Sequence, residues 1–455
     1  MKVTVLIKIS GGEISPFDES ALECALEWGA DVTALAMAPR SALPVLENLT
    51  RLGVRSILIS DPLYAGSVTQ ATSYLLSEAI KRLSPVFIFA GRQSIDGDTG
   101  QVPPMLAERL GISVISGVMD FCAGNIRTRS GESALLADCA IVTFERIRAL
   151  RFPSIFSKKG TVEIWDNSLL SLDKSKCGTV GSPTRVIRSY ESSVGRRSCS
   201  FETLESLDCL IKKGLSAPKK SSNDATVKKT EKIYYFGNIG DIAEKYSEKA
   251  IKLDSGGKAP YEIARELTDL GAEVVLFEAS EWHRQLASRV AVITGAGICA
   301  DCISFRRDGD TFIMTRPALG GNVTADIASR SPMSFATVRS SKASESDIIF
   351  AVGRGAVGHV ERIRALADGY GATLACSRVV CDAGVMPYSY QVGLTGKTVS
   401  PRVYVTFGIS GAVQHTSGIS GAGTVISVNS DKNARIFDYS DYGIIEDIKN
   451  LFSDN

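Results

Sequence analysis

Little in this chain could hold a metal, cross a membrane or attract a polyanion. It has three histidines, His283, His359 and His415. Its one CxxC, Cys299-Ala-Asp-Cys302, lacks the second pair or nearby histidines that a zinc centre needs. Ten cysteines follow no small-scaffold spacing, so they read as mostly buried thiols in a reducing compartment. No apolar run approaches the width of a bilayer. The opening Met1-Lys-Val-Thr-Val-Leu-Ile-Lys8 has only a short apolar-leaning stretch, too brief for a signal-peptide core. Fifty-one Lys and Arg against fifty Asp and Glu leave +1, with no global pull toward nucleic acid or an anionic surface. The expectation is a cytoplasmic protein with no metal, no nucleic-acid partner and no membrane insertion.

What is present is core. Hydrophobic residues make up 44% of 455 positions, enough for two or three compact units. Runs such as 3–7, 32–36, 56–60 and 86–90 read as strands, separated by helical stretches near 15–26, 41–52 and 71–83. Strands alternating with helices predict a parallel sheet covered on both faces. Residues 212–232 are rich in Lys and Ser with few apolar residues and read as a flexible basic linker. Beyond it, 233–236, 274–277 and 290–293 read as strands of a second unit, and 348–352, 373–376, 403–407 and 424–429 as strands of a third. The fold class is α/β, with three doubly wound parallel-sheet domains at 1–211, 233–340 and 341–455.

In the third unit the strand ends carry residues suited to a nucleotide. Gly353-Arg354-Gly355 follows the first strand, Ser377-Arg378 the second, and Gly408-Ile-Ser-Gly-Ala-Val-Gln-His415 the third. Asn429 ends the fourth, and Asp441 is expected to open a final helix. Glycines there let backbone amides approach a phosphate, although tight strand-to-helix turns use glycine for steric reasons too. Four such turns at one sheet edge mark the place where ligands of open α/β sheets bind.

The runs Ser377 to Gly384, Gln391 to Lys397, Gly408 to His415 and Asp441-Tyr-Gly443 resemble the FAD domain of electron-transfer flavoprotein alpha subunits. Arg316-Pro-Ala-Leu-Gly-Gly-Asn322 and Ala336-Thr-Val-Arg339 resemble the first domain of that subunit. Pro16-Phe-Asp-Glu19, Ser94 to Pro103, Phe152-Pro-Ser-Ile155 and Gly181-Ser-Pro-Thr184 are similar to the beta subunit. The resemblance thus covers most of the chain, beta first and alpha second, as in a fusion of the two subunits.

That resemblance implies an FAD at the C-terminal domain. Arg354 and Ser377 would contact it, with Arg378 against the isoalloxazine ring, where a fixed cation favours added negative charge. Thr395 would hydrogen-bond N5 and His415 would face the C2 carbonyl side. Val392, Gly393 and Leu394 would flank Thr395, with Leu394 where the family has Gln. Ser410, Gly411, Ala412, Val413 and Gln414 would line the ribityl and pyrophosphate, and Asn429 and Asp441 would hold the adenosine end.

A second nucleotide, FAD or AMP, is implied in the beta-like half at Asp96, Asp98, Thr99, Gly100, Gln101 and Val102. Its Gly-Asp-Thr-x-Gln-Val pattern resembles the electron-bifurcating form, whose partners would include NADH and ferredoxin. The segment around Phe152, flanked by Lys158 and Lys159, resembles the loop that docks a partner dehydrogenase. The implied function is an electron carrier rather than a substrate-converting enzyme, or a bifurcating oxidoreductase. The alternative is a nucleotide-binding sensor or scaffold without electron transfer.

Overall fold

The computed structural model describes the chain except for residues 95, 130, 137, 192–195, 218–228, 310, 319–322, 340–345, 394–395 and 453–455. It divides into two compact units, one of Met1–Ser189, Lys228–Leu319 and Ala325–Val338, the other of Tyr190–Val227, Gly320–Thr324 and Arg339–Asn455.

The larger sheet of the first unit has, among the described residues, the order Val162–Trp165, Arg55–Ile59, Asp31–Met37, Lys2–Ile7, Phe87–Gly91, Ala140–Phe144, Ser113–Cys122, Asn125–Thr128, Ser133–Leu135. Neighbours are parallel as far as Ser113–Cys122, and the last two strands fold back antiparallel. Phe87–Gly91 and Ala140–Phe144 are buried along their whole length, as strands covered on both faces must be. The helix Pro16–Glu27 begins with proline, whose missing N–H costs nothing there, and carries Asp18 and Glu19 in its first turn.

A second, wholly parallel sheet runs Ser247–Leu253, Thr230–Phe236, Val274–Glu278, Ser334–Val338, Gly297–Cys302. Its winding repeats that of the first. In each, the opening strand (Lys2–Ile7 or Thr230–Phe236) lies between the next strand of its own sheet (Asp31–Met37 or Ser247–Leu253) and a later one (Phe87–Gly91 or Val274–Glu278). In each, a late strand (Ala140–Phe144 or Ser334–Val338) inserts beside Phe87–Gly91 or Val274–Glu278, ahead of the parallel strand that precedes it, and in the first sheet Val162–Trp165 then closes the opposite edge. Both also detour through antiparallel strands before closing, the second through Ser304–Asp308 and Thr311–Ala318.

Residues 290–293, expected as a strand, lie in the helix Glu281–Thr294. Leu286, Ala287, Val290 and Ala291 are buried at helical spacing, so the apolar run is a helix face.

The second unit is built on a parallel sheet in the order Ser200–Glu202, Tyr442–Ile445, Thr424–Asn429, Val403–Phe407, Ile348–Val352, Thr373–Cys376. Its edge strand Ser200–Glu202 comes from residues assigned by sequence to the first domain. The helix Leu207–Ser216 joins it, burying Leu207, Leu210 and Ile211 in the core with Val403 and Val405. The expected linker at 212–232 therefore overlaps this helix at one end and the strand Thr230–Phe236 at the other. Residues 218–228 of it, and 319–322 of the 316–322 run, lie outside the described residues. Asp441 precedes the strand Tyr442–Ile445 rather than a helix, because Gly443 and Ile444 are buried between the strands on either side.

Candidate functional site

Four adjacent strands of the second unit release their loops at one carboxyl edge, as the sequence predicts. Those loops pack backbone to backbone. The Gly353 N–H donates to Phe407 O (2.8 Å) and the Gly355 N–H to Gly408 O (3.1 Å). Gly408 has φ +63°, and a Cβ there would sit 2.7 Å from the Ala356 nitrogen. Gly411 has φ +85°, and a Cβ would overlap the Ile436 backbone. Glycine is required at both positions whether or not a ligand binds. Arg354, Ser410, Ala412 and Gln414 are exposed at this edge, while Ser377, Arg378 and Val413 are half-buried. Arg378 Nε lies 3.3 Å from Asp382 Oδ2, and the Tyr388 hydroxyl donates to the other oxygen of that carboxylate (2.7 Å). Val392 and Gly393 are buried, and the Gly393 carbonyl accepts from Arg339 Nη1 (2.9 Å). Leu394 and Thr395 lie outside the described residues.

Three expected ligand residues spend their polar atoms inside the protein. His415 is 5% exposed, with Nδ1 3.1 Å from Val392 O and Nε2 3.2 Å from the Tyr404 hydroxyl. A carbonyl only accepts, so Nδ1 carries the proton and Nε2 accepts from Tyr404. Burial pushes the ring down to about 4, against the pull of the Val392 carbonyl, so it is neutral at physiological pH. Asn429 donates through Nδ2 to Ile409 O (2.8 Å) and accepts from the Asp431 N–H (2.9 Å), tying two loops together. Asp441 pairs through Oδ2 with Arg197 Nη1, and the same oxygen accepts from the Val425 N–H at 2.8 Å.

The first unit presents a different site. A cavity of about 960 Å³ opens beside the carboxyl ends of Lys2–Ile7, Asp31–Met37, Arg55–Ile59 and Phe87–Gly91. That volume lies at the upper end for small-molecule and cofactor sites. Of the expected residues Asp96, Thr99, Gly100, Gln101 and Val102 line it. Asp98 does not; at φ +49° its carboxylate accepts from Gln93 Nε2 (3.1 Å). Burial raises the Asp96 carboxyl, but Ser94, Lys8 and the Gly97 N–H outweigh it and hold the group below the usual carboxylate range. The wall is completed from the chain's later half by Ile298, Cys299 and Arg316.

Three buried donors on this wall have no protein partner among the described residues: Arg92 Nη2, Gln101 Nε2 and Arg316 Nε. Gln101 is held from its other end, where Oε1 accepts from the Thr69 hydroxyl (3.1 Å). Orphaned buried donors are rare and costly, and these three all belong to residues that line one cavity. Sequence reasoning placed Gln101 here and missed Arg92 and Arg316, whose burial is a tertiary property. Asp18, buried at the same cavity, accepts from the Gly91 and Lys8 N–H groups at 2.7 Å each. Burial nonetheless raises its carboxyl to about 7.

The Phe152 loop is at the surface, with Phe152 96%, Ile155 84% and Phe156 86% exposed. Arg51 fixes its backbone, donating to Ser154 O (3.1 Å) and Ser157 O (3.3 Å). The CxxC pair is buried in the strand Gly297–Cys302, and among the described residues no group of acidic, His or Cys side chains could hold a metal. No described helix is long and apolar enough to cross a membrane.

Residues 342–420 match the family model of the electron transfer flavoprotein FAD-binding domain. Residues 3–145 and 257–365 both match that of the electron transfer flavoprotein domain. The chain is 34% identical over 239 residues to the electron transfer flavoprotein subunit alpha of Thermoanaerobacterium thermosaccharolyticum, spanning 42% of this chain and 71% of that protein. It is 32% identical over 268 residues to Protein FixB of Clostridium saccharobutylicum, spanning 47% and 80%. With the subunit alpha of Bacillus subtilis the identity is 31% over 216 residues, spanning 38% and 66%.

Proposed function

This chain belongs to the electron transfer flavoprotein family, and from that premise we propose that it is a beta–alpha fusion carrying electrons on an FAD in its second unit. The observation that carries the fusion reading is the repeat within the first unit: two sheets share one winding, and one family model matches in two stretches, 3–145 and 257–365. The FAD lies over the loops after the strands Ile348–Val352, Thr373–Cys376, Val403–Phe407 and Thr424–Asn429. When bound, it supplies a centre that takes up and releases electrons one or two at a time.

The chain's own residues divide the work. Arg354 and Arg378 provide positive charge, Ser377, Ser410 and Gln414 provide polar contacts, and the backbone of 408–412 approaches the phosphates. His415 and Asn429 act as positioning residues, holding the strand-end loops in register through Val392 and Ile409, while Asp441 ties Val425 and Arg197 at the opposite, amino edge of the sheet. For His415 this departs from the sequence expectation of a direct contact with the ring, because both of its nitrogens are already engaged.

The cavity of the first unit takes the second nucleotide, FAD or AMP. Arg92, Gln101 and Arg316 supply its acceptors with donors. An FAD there would fit the bifurcating form, with NADH and ferredoxin as partners, and an AMP a simple carrier. The exposed Phe152, Ile155 and Phe156 form the docking patch for a dehydrogenase, an aromatic anchor suited to a small transient interface. Purified protein tests the first claim by eye. It should be yellow, with a flavin absorption spectrum, and a colourless protein that stays so after incubation with FAD would contradict the reading.

A further inference from the structure

Cys376 closes the strand Thr373–Cys376, and Cys381 lies in the short helix Arg378–Asp382 that follows. Their sulfurs are 3.1 Å apart. That is about 1 Å more than the bond length of a disulfide. Both side chains are buried, Cys376 completely and Cys381 at 3% exposure, so the pair is protected from bulky thiols. Ser377 and Arg378, between them, are half-buried at the sheet's carboxyl edge.

We propose that Cys376 and Cys381 are an intramolecular disulfide-forming pair, a modification site whose oxidant is a small peroxide. One sulfur attacks the peroxide; the O–O bond breaks, an S–O bond forms and one water leaves. The second sulfur then attacks the first; the S–O bond breaks, the S–S bond forms and a second water carries away the remaining proton. Two thiols lose two electrons and two protons, and one hydrogen peroxide becomes two waters. The separation decides the second step, because a sulfenic acid formed on either sulfur meets the other thiol before a further oxidant molecule can.

The mutual contact and burial that push the Cys376 thiol far above its ordinary range make the first step slow at neutral pH. The site is therefore silent under reducing conditions and responds to sustained peroxide. The bond would close a ring around residues 377–380 and tie the strand end to the far end of the short helix. This chemistry does not depend on a flavin being bound.

The chain's own sequence makes the product easy to recognise. Trypsin cuts after Arg364, Arg378 and Lys397, so the two cysteines fall in separate peptides, 365–378 and 379–397. Intact protein should be treated with hydrogen peroxide, alkylated, unfolded and digested without reductant. We expect these two peptides joined, with the mass of their sum less two hydrogens, and separated by dithiothreitol. Recovery of both peptides unlinked, with Cys376 and Cys381 alkylated or overoxidised while the exposed Cys209 is oxidised, would overturn the proposal. So would a predominant cross-link from either peptide to a different cysteine.

Discussion

In the second unit His415 and Asn429, at the carboxyl edge of the sheet, and Asp441, at its amino edge, direct their polar atoms to neighbouring segments, whereas around the first unit's cavity Arg92, Gln101 and Arg316 each keep a buried donor without a partner among the described residues. The first edge is held together by its own hydrogen bonds and by close glycine contacts. The second carries an uncompensated cost of about 1–3 kcal/mol for each orphaned donor, which an acceptor-rich ligand would relieve. The contrast separates residues whose polar atoms are spent on the fold from residues that keep a donor unspent beside a cavity.

The sharpest way to break this contrast is at Gly411. Gly411→Val must overlap the Ile436 backbone at a positive φ, so we expect a loss of about 3 kcal/mol or more in the second unit. Thermal unfolding should show it, while nucleotide binding at the first unit's cavity stays unchanged.

His415 gives the next largest effect. Its folded value near 4 lies below the ordinary 6.5, so between those values the unfolded chain binds a proton that the folded chain refuses. Stability should be full above pH 6.5 and fall as the pH drops toward 4, by on the order of 2–3 kcal/mol. His415→Gln should flatten that dependence in a series of melting curves; an equally steep fall in the variant would remove His415 as its source.

At the cavity the sign of the stability change should reverse. Arg316→Met and Gln101→Met remove orphaned donors, so melting temperatures should hold or rise. Affinity for AMP should nevertheless weaken at least about tenfold, a loss of roughly 1.4 kcal/mol, by calorimetric titration. Asn429→Ala, by contrast, should lower stability by about 1–2 kcal/mol, because it leaves Ile409 O and the Asp431 N–H unpaired. If all three variants destabilise alike, the distinction between the two edges fails.

The smallest effect belongs to Asp18. Its carboxyl is neutral below about pH 7 and charged above it. A phosphate in the cavity, held beside Lys8 and Arg92, should bind roughly threefold more weakly at pH 8 than at pH 6. An Asp18→Asn variant that keeps the same pH profile would assign the effect elsewhere.

Much of the fold was legible because parallel strands buried on both faces are continuous apolar runs. Phe87–Gly91, Val403–Phe407 and Thr424–Asn429 lie within a residue of their expected bounds. Val290–Ile293 misled because four apolar residues look alike on a strand and on a helix face, and only the buried spacing from Leu286 onward separates them. The grouping of residues 190–211 with the C-terminal sheet was not legible, since Ser200–Glu202 is short, exposed and recruited by a strand more than 200 positions later. At the site, sequence located the strand-end loops and Gln101. It did not reveal that His415 and Asp441 would be satisfied internally, or that Arg92 and Arg316 would be left with unpaired donors. Those outcomes depend on which distant groups burial brings alongside.

The two-site account is tested most directly by counting nucleotides. Protein purified without added cofactor, and again after incubation with excess FAD and AMP, should be denatured, and the released nucleotides quantified per chain. The account predicts one FAD together with one further adenine nucleotide, either a second FAD or an AMP. One FAD and nothing else, even after exposure to both, would contradict it.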